Sequence, residues 1–141
     1  MESIKPDSLH SGALVLLDSP PIIYWLESHR VFANRFEHLF ARHALGDLIF
    51  AVSTVTIAEV LTGPLRSGDE MLSKRYRAVL ESWQVVELTA DIAESAARLR
   101  AKLKLKLPDA IQVASALAIN ADALVTHDRD FAKVKGLRVV V

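Results

Sequence analysis

The 141-residue chain has no cysteine, which excludes a disulfide framework and every thiolate metal site. It also has no net charge, because 17 Lys and Arg balance 17 Asp and Glu. The whole protein is therefore not a polycation that coats nucleic acid, and any attraction for phosphate must come from a local patch. Long apolar runs are absent as well. Residues 1–12 are polar, and the apolar run that follows is far shorter than a signal-peptide core or a membrane span. A cytoplasmic protein with no membrane association is expected. There is no internal repeat, no low-complexity tract and no linker-like run of Pro, Gly or Ser. What is left is one domain over residues 13–141 behind an N-terminal extension over 1–12, long enough to bury roughly two-thirds of its unfolded surface.

Within that domain, Ala13 to Leu17 is a continuous apolar run too short for a helix, which suits a strand covered on both faces. Leu48 to Val52, Trp83 to Leu88, Ala123 to Thr126 and Leu137 to Val141 have the same character. Between them lie helical patterns. Ser19-Pro20-Pro21, with Ser19 as a hydroxyl cap, opens one through Ile22 and Leu26. Others run from Val31 to Ala44, from Val55 to the Gly63-Pro64 pair, from Met71 to Leu80, from Ile92 to Leu103, and from Pro108 to Ala118. Leu103-Lys-Leu-Lys-Leu107 alternates like a strand but reads better as a frayed helix end and a loop. This order predicts an α/β domain with a mostly parallel, five-stranded sheet flanked by helices. In such sheets ligands sit beyond the carboxyl ends of the strands, where Asp18 and Asp128 fall.

Each acid has an ordinary explanation. Asp18 fits a turn or a helix cap. Thr56-Ile-Ala-Glu59 matches a capping box, in which Glu59 would bond back to Thr56; a helix starting at Ser53 or Thr54 instead puts Glu59 in its second turn, free to face the strand ends. Asp109 suits the first turn of its helix, a placement typically worth about 0.3 to 1 kcal/mol. Asp128 suits a turn, and Asp130 a cap for Phe131 to Val134. Taken together, the acids would meet at one edge. Two carboxylates about 5 Å apart repel by roughly 3 kcal/mol at an effective dielectric near 20, so such a group needs a cation. Oxygen ligands without Cys or a paired His suit Mg²⁺ or Mn²⁺, and of the five histidines only His127 falls near the acids. Magnesium on carboxylates activates water and neutralises phosphate oxygens, which points to phosphodiester hydrolysis. Arg98, Arg100, Lys102, Lys104 and Lys106 form a basic stretch leading to Asp109, either a solvated helix face or a contact for a phosphate backbone.

Leu16-Leu-Asp18, Thr56-Ile-Ala-Glu59-Val-Leu, Leu107-Pro-Asp109-Ala-Ile and Val125-Thr-His-Asp128-Arg-Asp-Phe131, in that order and spacing, resemble the PIN-domain ribonucleases, and most closely the VapC toxins of type II toxin–antitoxin systems. The resemblance spans Leu14 to Val140. It implies a metal-dependent endoribonuclease with Asp18, Glu59, Asp109 and Asp128 as its acidic quartet. Asp18, Asp109 and Asp128 would be the metal ligands, with Thr126, Asp130 and Ser19 in support. It further implies an RNA substrate, a homodimer and a cognate antitoxin protein. Two features depart from the family pattern: the stiff Ser19-Pro20-Pro21 and the dozen residues before the first strand. Two other readings compete, a catalytically silent PIN-like module that binds RNA or protein and a phosphoacceptor receiver domain. The latter chemistry wants an acidic pair after the first strand and a lysine after the last, and here Asp18 has no adjacent acid and the sequence stops at Val141.

Overall fold

The computed structural model describes residues 3–5, 8–128, 131, 134 and 137–140. Among the described residues there are six strands, β1 (Ser3–Ile4), β2 (Ala13–Leu17), β3 (Leu48–Ser53), β4 (Gln84–Val86), β5 (Ala123–Val125) and β6 (Val139–Val140), interspersed with six helices. These are α1 (Ser19–Leu26), α2 (Ala33–Ala44), α3 (Thr54–Arg66), α4 (Glu70–Glu81), α5 (Ala90–Leu103) and α6 (Leu107–Ala118). The sheet order is β1-β6-β5-β2-β3-β4, and every pairing is parallel. The α/β class and the parallel sheet agree with the sequence. The strand count differs: Ser3 and Ile4, inside the expected extension, pair with Val139 and Val140 to add a sixth strand. Two residues on a sheet edge carry no periodicity to read, so nothing in residues 1–12 announces it.

Why the strand sequences are apolar throughout is visible in their packing. Side chains alternate between faces with a period of two. Ala13, Val15 and Leu17 of β2, Leu48, Phe50 and Val52 of β3, and Ala123 and Val125 of β5 pack on one face with α1 to α4, through Ile22, Phe36, Leu39, Phe40, Val60 and Leu80. The intervening Leu16, Ala51 and Leu124 pack on the other face with α5 and α6, through Ile92, Ala96, Ala110, Ile111, Val113 and Ala114. Both faces are covered, so neither set of positions is polar. Full burial of one Leu, Ile or Phe contributes about 1.5–3 kcal/mol, and these two layers supply most of the cohesion.

Helix boundaries correct several details. Asp18, not Ser19, is the N-cap of α1, and its side chain accepts from the Ser19 N–H. Ser19 is thus the first helical residue, and the prolines follow in the first turn, where no N–H is needed. Helix α3 runs through Gly63-Pro64 to Arg66. Pro64 lies inside the helix and is buried, with no N–H to give to the carbonyl of Val60 one turn back. Helix α6 starts one residue before Pro108, at Leu107. The Leu103–Leu107 stretch is indeed a helix end and a loop: α5 stops at Leu103 and Lys104 closes it in the left-handed conformation, φ 56°. A side chain there costs energy that glycine avoids. Lys104→Gly should therefore raise the stability by about 0.5–1 kcal/mol, read as a higher denaturant midpoint with unchanged slope; a lower midpoint would show that the lysine side chain contributes more than the strain it carries.

Candidate active site

Register brings the site together. Leu17 pairs with Val125, and Leu16 with Ala51, so one step further along the parallel ladder Asp18 stands between Ser53 of β3 and Thr126 after β5. The ladder does continue past the strand ends: the Asp18 N–H donates to the Val125 carbonyl at 2.8 Å and the Thr126 N–H to that of Val140 at 2.9 Å. Three adjacent strands thus end in a row of buried polar residues, Ser53, Asp18 and Thr126.

The Asp18 carboxylate is held by three neutral donors. The Ser19 N–H reaches Oδ1 at 2.9 Å, the Gln112 side-chain amide reaches the same oxygen at 3.3 Å, and the Thr126 hydroxyl reaches Oδ2 at 2.9 Å. Burial pushes its pKa up from 3.8 to about 6; the bonds from Thr126 and Ser19 oppose this, and the charges of Asp109 and Glu59 add to it. Among the described residues, none of the groups bonded to Asp18 is cationic.

Gln112, absent from the expectations above, ties Asp18 to Ser53 and to Thr56 of α3. It is fully buried. Its oxygen accepts from the Ser53 hydroxyl at 3.0 Å, and its nitrogen donates to Thr56 Oγ1 at 2.5 Å as well as to Asp18. One signal could have found it: a long amide among Ala, Ile and Val, three residues after Asp109 and therefore on the same helix face.

Of the two registers open to Glu59, the structure adopts the later turn. Ser53 is the N-cap of α3, its hydroxyl accepting from the Thr56 N–H at 3.2 Å. No capping box forms, and Glu59 instead accepts from the Ser19 hydroxyl at 2.6 Å. Asp109 lies half-buried in the first turn of α6, near enough for its charge to raise the pKa of Asp18. Asp128 is set at the same edge by its N–H, which donates to Thr126 Oγ1 at 3.0 Å. Asp130 lies outside the described residues. Among the described residues, no three Asp, Glu or His side chains already converge at metal-ligand spacing.

The basic stretch divides. Arg98 pairs with Glu94 at 3.2 Å on the exposed side of α5, and Arg100 donates to the Leu105 carbonyl at 3.3 Å, bracing the turn. Lys102, Lys104 and Lys106 are exposed, and Lys106, as the N-cap of α6, stands three residues from Asp109.

A parallel α/β fold with oxygen donors gathered at the carboxyl edge of its sheet is a recognisable class of domain, and residues 15–137 match the PIN-domain family model. The chain belongs to the PIN-domain family. Within it the likeness is to the VapC type. A chain from a toxin–antitoxin complex of Klebsiella pneumoniae is 30% identical over 90% of this chain and 95% of its own, with a TM-score of 0.69. VapBC2 of Rickettsia felis, bound to a DNA fragment from its promoter, is 20% identical over 89% and 96%, with a TM-score of 0.67. VapC20 of Mycobacterium tuberculosis, a toxin that cleaves the sarcin–ricin loop, is 17% identical over 84% and 93%, with a TM-score of 0.71. No curated protein matches the sequence significantly. Among the described residues no helix is long and apolar enough to cross a membrane.

Proposed function

We propose that this chain is a metal-dependent endoribonuclease and the toxin of a toxin–antitoxin pair, acting in the cytoplasm as a homodimer that a cognate antitoxin protein restrains. The observation that carries the chemistry is the buried Asp18, surrounded by neutral donors and two further acids. A carboxylate with its pKa raised to about 6 by burial and by neighbouring charge is the site a hard cation relieves. Asp18, Asp109 and Asp128 would hold Mg²⁺ or Mn²⁺, and Glu59 would bind the metal or orient the attacking water. When bound, the cation lowers the pKa of a water and neutralises phosphate charge. Thr126, Ser19 and Gln112 hold Asp18 in one orientation before any ligand arrives, which is the arrangement expected of groups that support a ligand. Lys102, Lys104 and Lys106 supply a local positive patch for the RNA backbone on a protein of zero net charge. The similarity to toxin–antitoxin proteins supports the antitoxin, and that to a toxin that cleaves the sarcin–ricin loop supports the RNA substrate.

Purified protein should cut single-stranded RNA in Mg²⁺ or Mn²⁺ and stop in EDTA, with ends that map to discrete positions. RNA that is bound but never cut under any divalent metal would leave the binding-module reading in its place. Growth arrest on expression, relieved by the neighbouring reading frame, tests the antitoxin part; equal growth with and without it would remove that part alone.

A further inference from the structure

Beside the acids stands a group of rings that the hydrolysis does not use. Tyr24 of α1, His29 and Phe32 of the turn before α2, and His127 after β5 are all partly open to solvent. Phe32 lies 5.0 Å from Tyr24, 5.0 Å from His29 at 26°, and 4.6 Å from His127, centroid to centroid. It belongs to neither core layer. Phe36, one turn on, is the buried anchor. The cluster is fixed in place. The Tyr24 hydroxyl meets His127 Nδ1 at 2.9 Å, and His29 Nδ1 accepts from the N–H groups of Val31 and Phe32, both at 3.2 Å. Arg35, exposed and on the same helix face as Phe32, brings its guanidinium to 3.5 Å from His127 Nε2. His127 sits between Thr126, which bonds Asp18, and Asp128.

We infer that this cluster is a stacking subsite for one unpaired base of an RNA strand whose phosphate lies at the acids. This rests on the nuclease reading of the acidic edge. Single-stranded RNA is recognised chiefly by stacking unpaired bases on aromatic rings and on arginine planes. A half-exposed, rigid group of rings with an arginine at its rim offers both beside the reacting edge. Arginine also adds attraction for the phosphate. If the rings merely clasp the α1–α2 turn to the loop after β5, their loss affects stability and leaves the dependence on individual bases unchanged.

The discriminating measurement is binding of a fluorescein-labelled single-stranded RNA octamer, and of a set of octamers each lacking the base at one position, to wild-type protein in EDTA, where metal-dependent cleavage does not consume the probe. One abasic position should weaken wild-type binding about tenfold. For the Phe32→Leu variant, which keeps apolar bulk and loses the ring, intact RNA should bind about tenfold more weakly and the abasic penalty should vanish. Phe32→Trp should restore both, with thermal midpoints confirming that each variant is folded. Equal wild-type affinity for every abasic probe, no RNA binding at all, or an unchanged abasic penalty in Phe32→Leu overturns the subsite. Failure of the nuclease reading shows separately, as intact RNA that is bound with this base dependence but never cut in Mn²⁺.

Discussion

Asp18→Asn should abolish metal-dependent RNA cleavage and, in the absence of metal, make the protein more stable at neutral pH. The two effects have one cause. In the folded protein the Asp18 pKa is about 6, against 3.8 for an ordinary aspartate, a difference corresponding to about 3 kcal/mol. Because the folded value is the higher one, the contribution of Asp18 is fully present below pH 3.8, where the acid is neutral in both states. It is lost as pH rises through 6 and the buried group ionises beside Glu59 and Asp109. Asparagine keeps the shape and an oxygen for the Ser19 N–H without that charge. Urea denaturation in EDTA should therefore show the variant ahead of wild type by up to about 3 kcal/mol at pH 7, and equal to it at about pH 3. Loss of a direct metal ligand removes several kcal/mol of transition-state stabilisation, about a thousandfold or more in kcat. Cleavage retained in a nuclease-free preparation would overturn the assignment of the site. A stability difference that does not change with pH would overturn the buried-charge account.

The second large effect is expected at Gln112. Gln112→Leu keeps roughly the volume and the apolar packing but removes one partner each from the Ser53 hydroxyl, Thr56 Oγ1 and Asp18 Oδ1 at once. A buried polar group left unsatisfied costs about 1–3 kcal/mol. A loss of about 3 kcal/mol of stability is expected, since part of the network can rearrange. Groups that orient a metal ligand typically change affinity by about 10- to 100-fold, so calorimetry with Mn²⁺ should show weaker binding by that factor in protein that is still folded. Gln112→Glu keeps the length and replaces the donor by an acceptor with charge, and should weaken Mn²⁺ binding less than the Leu variant because it adds a possible oxygen ligand. Unchanged Mn²⁺ affinity in the Leu variant would mean that Thr126 and Ser19 alone hold Asp18.

Much of the site was legible because the signals were local. An apolar run ending in an acid announces Asp18 and Thr126, and Pro108-Asp109 announces a helix start. Glu59 was open between two registers, since a capping box and a second-turn acid are the same letters; the choice depended on Ser53 taking the cap, which is a matter of where β3 ends. Gln112 was missed because burial, not residue type, makes it important. The aromatic group around Phe32 could not be read either, for it joins residues 24–35 to residue 127, far apart in the sequence. The basic residues from Arg98 to Lys106 look like one patch in the sequence, yet the helix turns Arg98 toward Glu94 and Arg100 toward Leu105.

By itself, then, the sequence determined the layers and the edge: strands apolar on every position must be covered on both faces, and acids placed after them must fall at the carboxyl side of the sheet. Only the tertiary structure decided the state of those acids. The register that sets Asp18 between Ser53 and Thr126, with Gln112 bonded to Asp18, Ser53 and Thr56, buries one carboxylate and leaves its neighbours partly exposed. That difference in burial, which no spacing of letters encodes, is what raises the pKa of Asp18.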